Sequence, residues 1–386
     1  MLIVNGRVHD GCGNSCAEDI RIEDGVIAAL GQGLAAKPEE QIIDAAGMEI
    51  LPGFVQAISS WGVNGSMAEI RPSSDDNDEK SNPVMPELDG FYAFNGRAAT
   101  AQQLGAFGVT ACGVAPTTNN LFGGTIAAFC VDGVNPYRMV LGRDLGMMAS
   151  VMPDVKKTYG ARPAAPMTRM WLYTNLAEWL RKAAEYEEKE DKPKDTKLIA
   201  LRRVVRGELP LFASCDSAAS IAHVLDITAA YPDLRLVLVN GFGLTGDEDY
   251  FLERSIPLIV RTPSNPLDKD AMGLDYKAVV KLYEKGVKVA MSGAYSNSMN
   301  AREDMLWFGA ELMRILHDSD KVLPMLTSMP AGILGIGDKT GSVAVGKRAD
   351  LVVWSADPLK TYQARVQYTL QAGRIIYQEG DEMKCM

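Results

Sequence analysis

Runs of Val, Ile and Leu with almost no polar interruption recur through the middle of the chain. They are GVTACGVAP at 108–116, LRLVLVNG at 234–241, SIPLIVRT at 255–262 and GVKVAMSG at 286–293. Such continuity predicts strands buried on both faces, as parallel strands are. Between the runs, apolar residues fall at helical spacing: AASIAHVLDITAAYPD (218–233), DYKAVVKLYEKG (275–286) and WFGAELMRIL (307–316). Strand and helix alternating over residues 51–334 predict an α/β fold, most economically a (β/α)8 TIM barrel. A doubly wound sheet would want a glycine-rich phosphate turn after its first strand, and the chain has none.

The ends read differently. LIVNGRVHDG, DIRIEDGVIAALG and QIIDAAGMEILPG are short strands, with a hairpin turn at Asp24-Gly25. GSVAVGKRADLVVWSADPL and RVQYTLQAGRIIYQEG repeat the pattern, with a turn at Ala372-Gly373. Two β-rich ends around a long middle predict one small β-sandwich made by both termini, residues 1–50 and 335–386, beside a barrel over 51–334. The polar, proline-punctuated stretch 72–90 reads as a loop over one end of the barrel, of a length that shapes pockets. The charge-dense stretch 181–197 reads as the solvated end of a helix and a loop.

Composition narrows the field. The chain has 386 residues and a formal charge of −10, with no basic stretch to collect phosphates, so nucleic acid is not an expected partner. No apolar run approaches the ~20 residues that span a bilayer, and MLIVNGRVHDG lacks the features of an export signal. Six scattered cysteines, at 12, 16, 112, 130, 215 and 385, form neither a metal ribbon nor a disulfide framework. A reducing cytoplasm is the expected location. Only three histidines occur, His9, His223 and His317.

Several phrases together resemble the amidohydrolase superfamily, in its imidazolonepropionase-like branch. DGVIAALG and IIDAAGMEILPGF resemble the lead-in to the first barrel strand. DDNDEKSNPVMPEL and GAFGVTACGVAPTTNNLFGGT resemble the loop and second strand, and PDVKKTYGARPAAPMTRM the barrel centre. MPAGILGIGDKTGSVAVGKRADLVVWSADPL resembles the closing segment and is the most specific. The resemblance implies a site at the C-terminal ends of the strands, where a divalent metal, usually zinc, turns a bound water into hydroxide and an Asp takes the proton.

That chemistry needs two histidines one residue apart on the first strand. In LPGFVQAISSWG those places hold Ile58 and Ser60. The remaining ligand places carried over from the resemblance fall near Met148 (the bridging residue), on Ala213 and Asn240 (histidines of later strands) and on Ala294 (the Asp). None holds a metal ligand, and the three histidines lie in the terminal strands or inside helical patterns. No metal or other cofactor is therefore expected.

Other residues at strand ends are candidates for ligand contact. Cys215 as a nucleophile would need a base that is not in view; a small buried thiol is the simpler reading. Ser59 and Ser60 equally lack a histidine partner. Arg261 closes SIPLIVR and has the geometry to hold a carboxylate, or an acidic loop residue. Asn119 and Asn120 offer polar contacts or simply form a turn. The reading that follows is a catalytically degenerate amidohydrolase homologue keeping a ligand-binding or structural role. Its expected partners are a small molecule and further copies of the chain, or an active homologue. The alternative is a hydrolase acting on C–N bonds of a cyclic amide or dipeptide-like substrate by a metal-independent route through Cys215 or Ser60.

Overall fold

The structure is a computed structural model, and it describes residues 1–63, 76–98, 103–160, 165–188, 193–240, 244, 252–254, 256–261, 275–293 and 304–380. Eighteen strands are described. The first five are β1 (Leu2–His9), β2 (Ser15–Glu23), β3 (Val26–Gly31), β4 (Ile42–Asp44) and β5 (Glu49–Pro52). Next come β6 (Phe54–Ser59), β7 (Val109–Val114), β8 (Phe122–Thr125), β9 (Ala127–Cys130), β10 (Val140–Gly142) and β11 (Met147–Ser150). Four more follow as β12 (Leu211–Ser214), β13 (Leu236–Asn240), β14 (Leu258–Arg261) and β15 (Val289–Ser292). The chain closes with β16 (Leu351–Trp354), β17 (Val366–Gln371) and β18 (Arg374–Gln378). The helices are α1 (Pro136–Met139), α2 (Pro153–Gly160), α3 (Arg169–Glu185), α4 (Thr196–Val205), α5 (Ala218–Thr228), α6 (Tyr276–Glu284), α7 (Asp304–Leu316), α8 (Ser319–Val322) and α9 (Ser328–Ile333).

Both ends of the chain build one eight-stranded sheet, in the order β18-β17-β16-β5-β1-β2-β3 with β4 beside β1. The two hairpin turns expected from Asp24-Gly25 and Ala372-Gly373 are there, with φ of 50° and 81° in the first and 47° and 72° in the second. Two left-handed residues in succession match the twist of the strands they join. β16 shows how the sheet divides the interior. Leu351 and Val353 enter a core with Ile3, Ile20 and Ile50, whereas Val352 and Trp354 enter the larger core of the middle segment. Alternation along a strand makes one element serve both.

The middle forms two further sheets, β10-β9-β7-β6 and β15-β14-β13-β12-β11-β8. β11 to β15 pair in parallel, and every residue of β12 to β15 is buried, as their continuous apolar runs predict. The intervening helices start on side-chain caps: Ser217 forms a capping box with Ser220 ahead of α5, and Asp275 accepts from Lys277 and Ala278 at α6. Each such cap is worth about 1 kcal/mol. Residues 122–130 depart from an all-parallel set. β8 runs antiparallel to β11 and β9 antiparallel to β7. The connection 115–121 is too short for the crossover that a parallel return needs, so the chain turns back on itself.

At the far edges, β6 and β15 are bridged by side chains. The Ser292 hydroxyl accepts from the Ile58 N–H at 3.0 Å and donates to the Ile58 carbonyl at 2.7 Å. Gln56 Oε1 accepts from the Gly293 N–H at 2.7 Å. Among the described residues no helix is long and apolar enough to cross a membrane.

Candidate functional site

The C-terminal ends of β6, β14 and β15 meet around these bonds. Ile58 is fully buried and Ser60 nearly so. Arg261, the last residue of β14, is 3% exposed and donates through Nε to the Gly293 carbonyl at 3.2 Å. A Cβ on Gly293 would stand 3.0 Å from Gln56 Nε2 and 3.1 Å from Asp304 Oδ2, so these two side chains close tightly around this strand end. Ile58, Gln56, Arg261, Ser292 and Asp304 therefore crowd one corner. Gln56 Nε2 is buried there without a hydrogen-bond partner among the described residues. Ala294, expected in the same corner, lies outside the described residues.

Register across the parallel strands sorts the other positions. Met148 pairs with Phe212 and Ser150 with Ser214; Ser214 pairs with Val239 and Val239 with Ile259; Arg261, two residues on, pairs with Ser292. Partners share a face and neighbours along a strand alternate. Met148, Ser214, Arg261 and Ser292 thus occupy one face. Ala213 occupies the other, with Leu238 and Leu258. Asn240 pairs with Val260 and lies two residues beyond Leu238, so by register it falls on the face of Ala213, whereas Ser214 shares the face of Met148. The Ser214 hydroxyl is buried with no partner among the described residues.

Asn240 ends β13 with φ at 88°, a left-handed conformation that breaks the pleat. Its amide donates to Met152 Sδ at 3.1 Å. Cys215 is buried, its N–H donating to the Val239 carbonyl at 3.2 Å. Burial, then the charge of Asp216, pushes its thiol far above the usual range, which leaves it protonated at neutral pH. Asn119 stands apart. It donates to Asp78 Oδ1 at 2.7 Å, and Asn77 donates to the Ala115 carbonyl at the same distance, so this part of the expected loop is tied across the end of β7. Asn120 donates to the Glu79 carbonyl and accepts from the Tyr159 hydroxyl. Both asparagines brace loops.

The donor set does not fit a divalent metal. At the described positions carried over from the resemblance, hydrocarbon, thioether, hydroxyl and amide groups stand where the resemblance calls for metal ligands. The histidines are used elsewhere. His9 lies between Asp320 and Glu49, the ring of His223 packs on Tyr173, and His317 follows α7 with φ at 53°. Among the described residues no group of three His, Cys, Asp or Glu is placed to hold a metal ion. Sequence reasoning missed Gln56, Ser214, Ser292 and Asp304. Of these, Ser214 follows Ala213 at a strand end, and only the register tells which of the two shares the face of Met148.

Solved structures define the class of fold. An amidohydrolase from Thermotoga maritima MSB8 superposes with a TM-score of 0.89 at 24% identity, over 98% of this chain and 99% of that one. A Xaa-Pro dipeptidase with bound methionine superposes with a TM-score of 0.61 at 15% identity, over 98% of this chain and 99% of that one. At such identities the likeness is one of fold. The sequence model of the amidohydrolase family matches residues 167–377, and the chain belongs to that family. Among curated relatives, amidohydrolase tasK of Hapsidospora irregularis is 23% identical over 90% of this chain. Imidazolonepropionase of Thermoplasma acidophilum is 30% identical over 30% of it. The chain spans 39% and 30% of the lengths of those two relatives.

Proposed function

We propose that this chain keeps the barrel of its family without the family's metal-dependent hydrolysis of C–N bonds, and that it serves in ligand binding or structure. The carrying observation is Ile58, a fully buried hydrocarbon at the place of a metal-binding histidine, its backbone locked to Ser292. In this reading residues 51–334 form a closed barrel. The staves are β6, β7, the continuous β8–β9 pair and β11 to β15, with the Ser292 and Gln56 bonds as the seam. The terminal sheet folds into a sandwich over residues 1–50 and 335–386, for which the bonds from Ile27 to Lys347 and from Ala349 to Gly25 speak. The ligand is a small molecule held near Arg261 and Ser214, with no cofactor, and the working unit is an assembly of like chains. A metal-independent hydrolase acting through Cys215 is disfavoured by the thiol's burial.

The test is elemental analysis of protein purified without chelator and then exposed to zinc, manganese and iron. Metal well below one equivalent after each addition is expected. One tightly held equivalent would overturn the proposal and direct hydrolase assays to cyclic amides and dipeptides.

A further inference from the structure

A cavity of about 650 Å³ lies at the opposite end of the parallel strands. Its lining includes the residues just before four successive strands: Pro210 before β12, Arg235 before β13, Pro257 before β14 and Lys288 before β15. The remaining walls are largely apolar, among them Leu236, Ile256 and Ile333. Three cations, Arg235, Arg254 and Lys288, line it, and among the described residues no acidic one does. In a chain whose formal charge is −10, that is a local inversion of sign.

The Arg235 guanidinium is held without being neutralised by its anchors. Arg235 donates from Nε to the Gly207 carbonyl at 2.8 Å and from Nη2 to the Glu208 carbonyl at 3.0 Å. Arg254 Nη1 donates to the Leu225 carbonyl at 3.1 Å. Carbonyl anchors fix a guanidinium in place and leave its charge available. Arg235 and Lys288 make no ion pair among the described residues. The volume falls within the range of small-molecule pockets and exceeds what a bare inorganic ion needs.

We propose that this cavity is a binding site for a small organic anion, its carboxylate or like group meeting Arg235 and Lys288 and its apolar body lying against Leu236, Ile256 and Ile333. Gly332, in α9, opens onto the same space, since a Cβ there would meet no atom within 4 Å. The site is independent of the strand-end corner, so the failure of either reading leaves the other standing.

Calorimetric titration of the full chain with 2-naphthoate and its uncharged counterpart 2-naphthamide tests the assignment. Naphthoate is expected to bind at one site per chain, at least about tenfold more tightly than the amide, as a charge-assisted contact implies. The double variant Arg235→Gln, Lys288→Gln should remove that advantage and leave the amide unchanged. Gly332→Phe should block both compounds while the unfolding temperature is retained. No saturable naphthoate binding, equal binding of the two compounds, or naphthoate binding that survives both variants would overturn the proposal.

Discussion

Two buried serines on one sheet face provide a matched pair. Ser292 and Ser214 are both inaccessible to solvent and both close a parallel strand. The Ser292 hydroxyl bonds the N–H and the carbonyl of Ile58, whereas the Ser214 hydroxyl has no partner among the described residues. Ser292→Ala leaves two buried backbone groups of β6 unsatisfied, at about 1–3 kcal/mol each, less what the second lone pair of the carbonyl recovers. A loss of about 2–4 kcal/mol follows. Ser214→Ala removes a hydroxyl that was desolvated for nothing, so stability should stay within about 0.5 kcal/mol of wild type or rise by up to about 1. Urea unfolding of the three proteins measures the difference, and hydrogen exchange locates it, with faster exchange at Ile58 expected only in Ser292→Ala. Equal costs for the two variants would refute the reasoning, because then burial rather than hydrogen bonding would set the penalty. Unchanged exchange at Ile58 would refute the seam between β6 and β15.

Two more consequences follow from buried polar groups. His9, 3% exposed, has Nδ1 2.6 Å from Asp320 Oδ1 and Nε2 2.8 Å from Glu49 Oε2. His9→Ala removes a hydrogen-bond partner from each of two partly exposed carboxylates and should cost about 1.5–3 kcal/mol in thermal or urea unfolding; adding Asp320→Asn to it should restore part of the loss, and a cost below about 0.5 kcal/mol would contradict the reading. Burial alone would raise the carboxyl of Asp357, but the hydroxyl of Ser319 at 2.6 Å, the Lys360 ammonium and the Leu359 N–H together hold it below its ordinary 3.8. A depressed carboxylate adds stability above its unfolded pKa and loses it as pH falls through the folded value. Asp357→Asn should therefore be less stable than wild type at pH 7, the gap closing below about pH 4; a gap independent of pH would point to packing instead.

Much of the chain was legible because local chemistry and burial agreed. Asp24-Gly25 and Ala372-Gly373 specify left-handed turns on their own, and the apolar runs ending at Asn240, Arg261 and Ser292 have no stable place except between two layers. Ser217 and Asp275 announce helix starts through bonds to backbone groups a few residues away. Such features depend on neighbours in sequence, so the sequence by itself determined them, along with the family resemblance and the presence of Ile58 and Ser60 rather than histidine. The direction of 122–130 was concealed behind its composition, since antiparallel and parallel buried strands read alike, and only the short connection 115–121 hinted at the return. Which of Ala213 and Ser214 shares a face with Met148 and which with Asn240 depends on pairing with β11 and β13, where a slip of one residue moves a side chain to the other face. The meeting of Gln56 with Gly293 spans more than two hundred residues. Tertiary structure alone decided these, because register and long-range contact are set by which backbones lie side by side, and no local propensity encodes that.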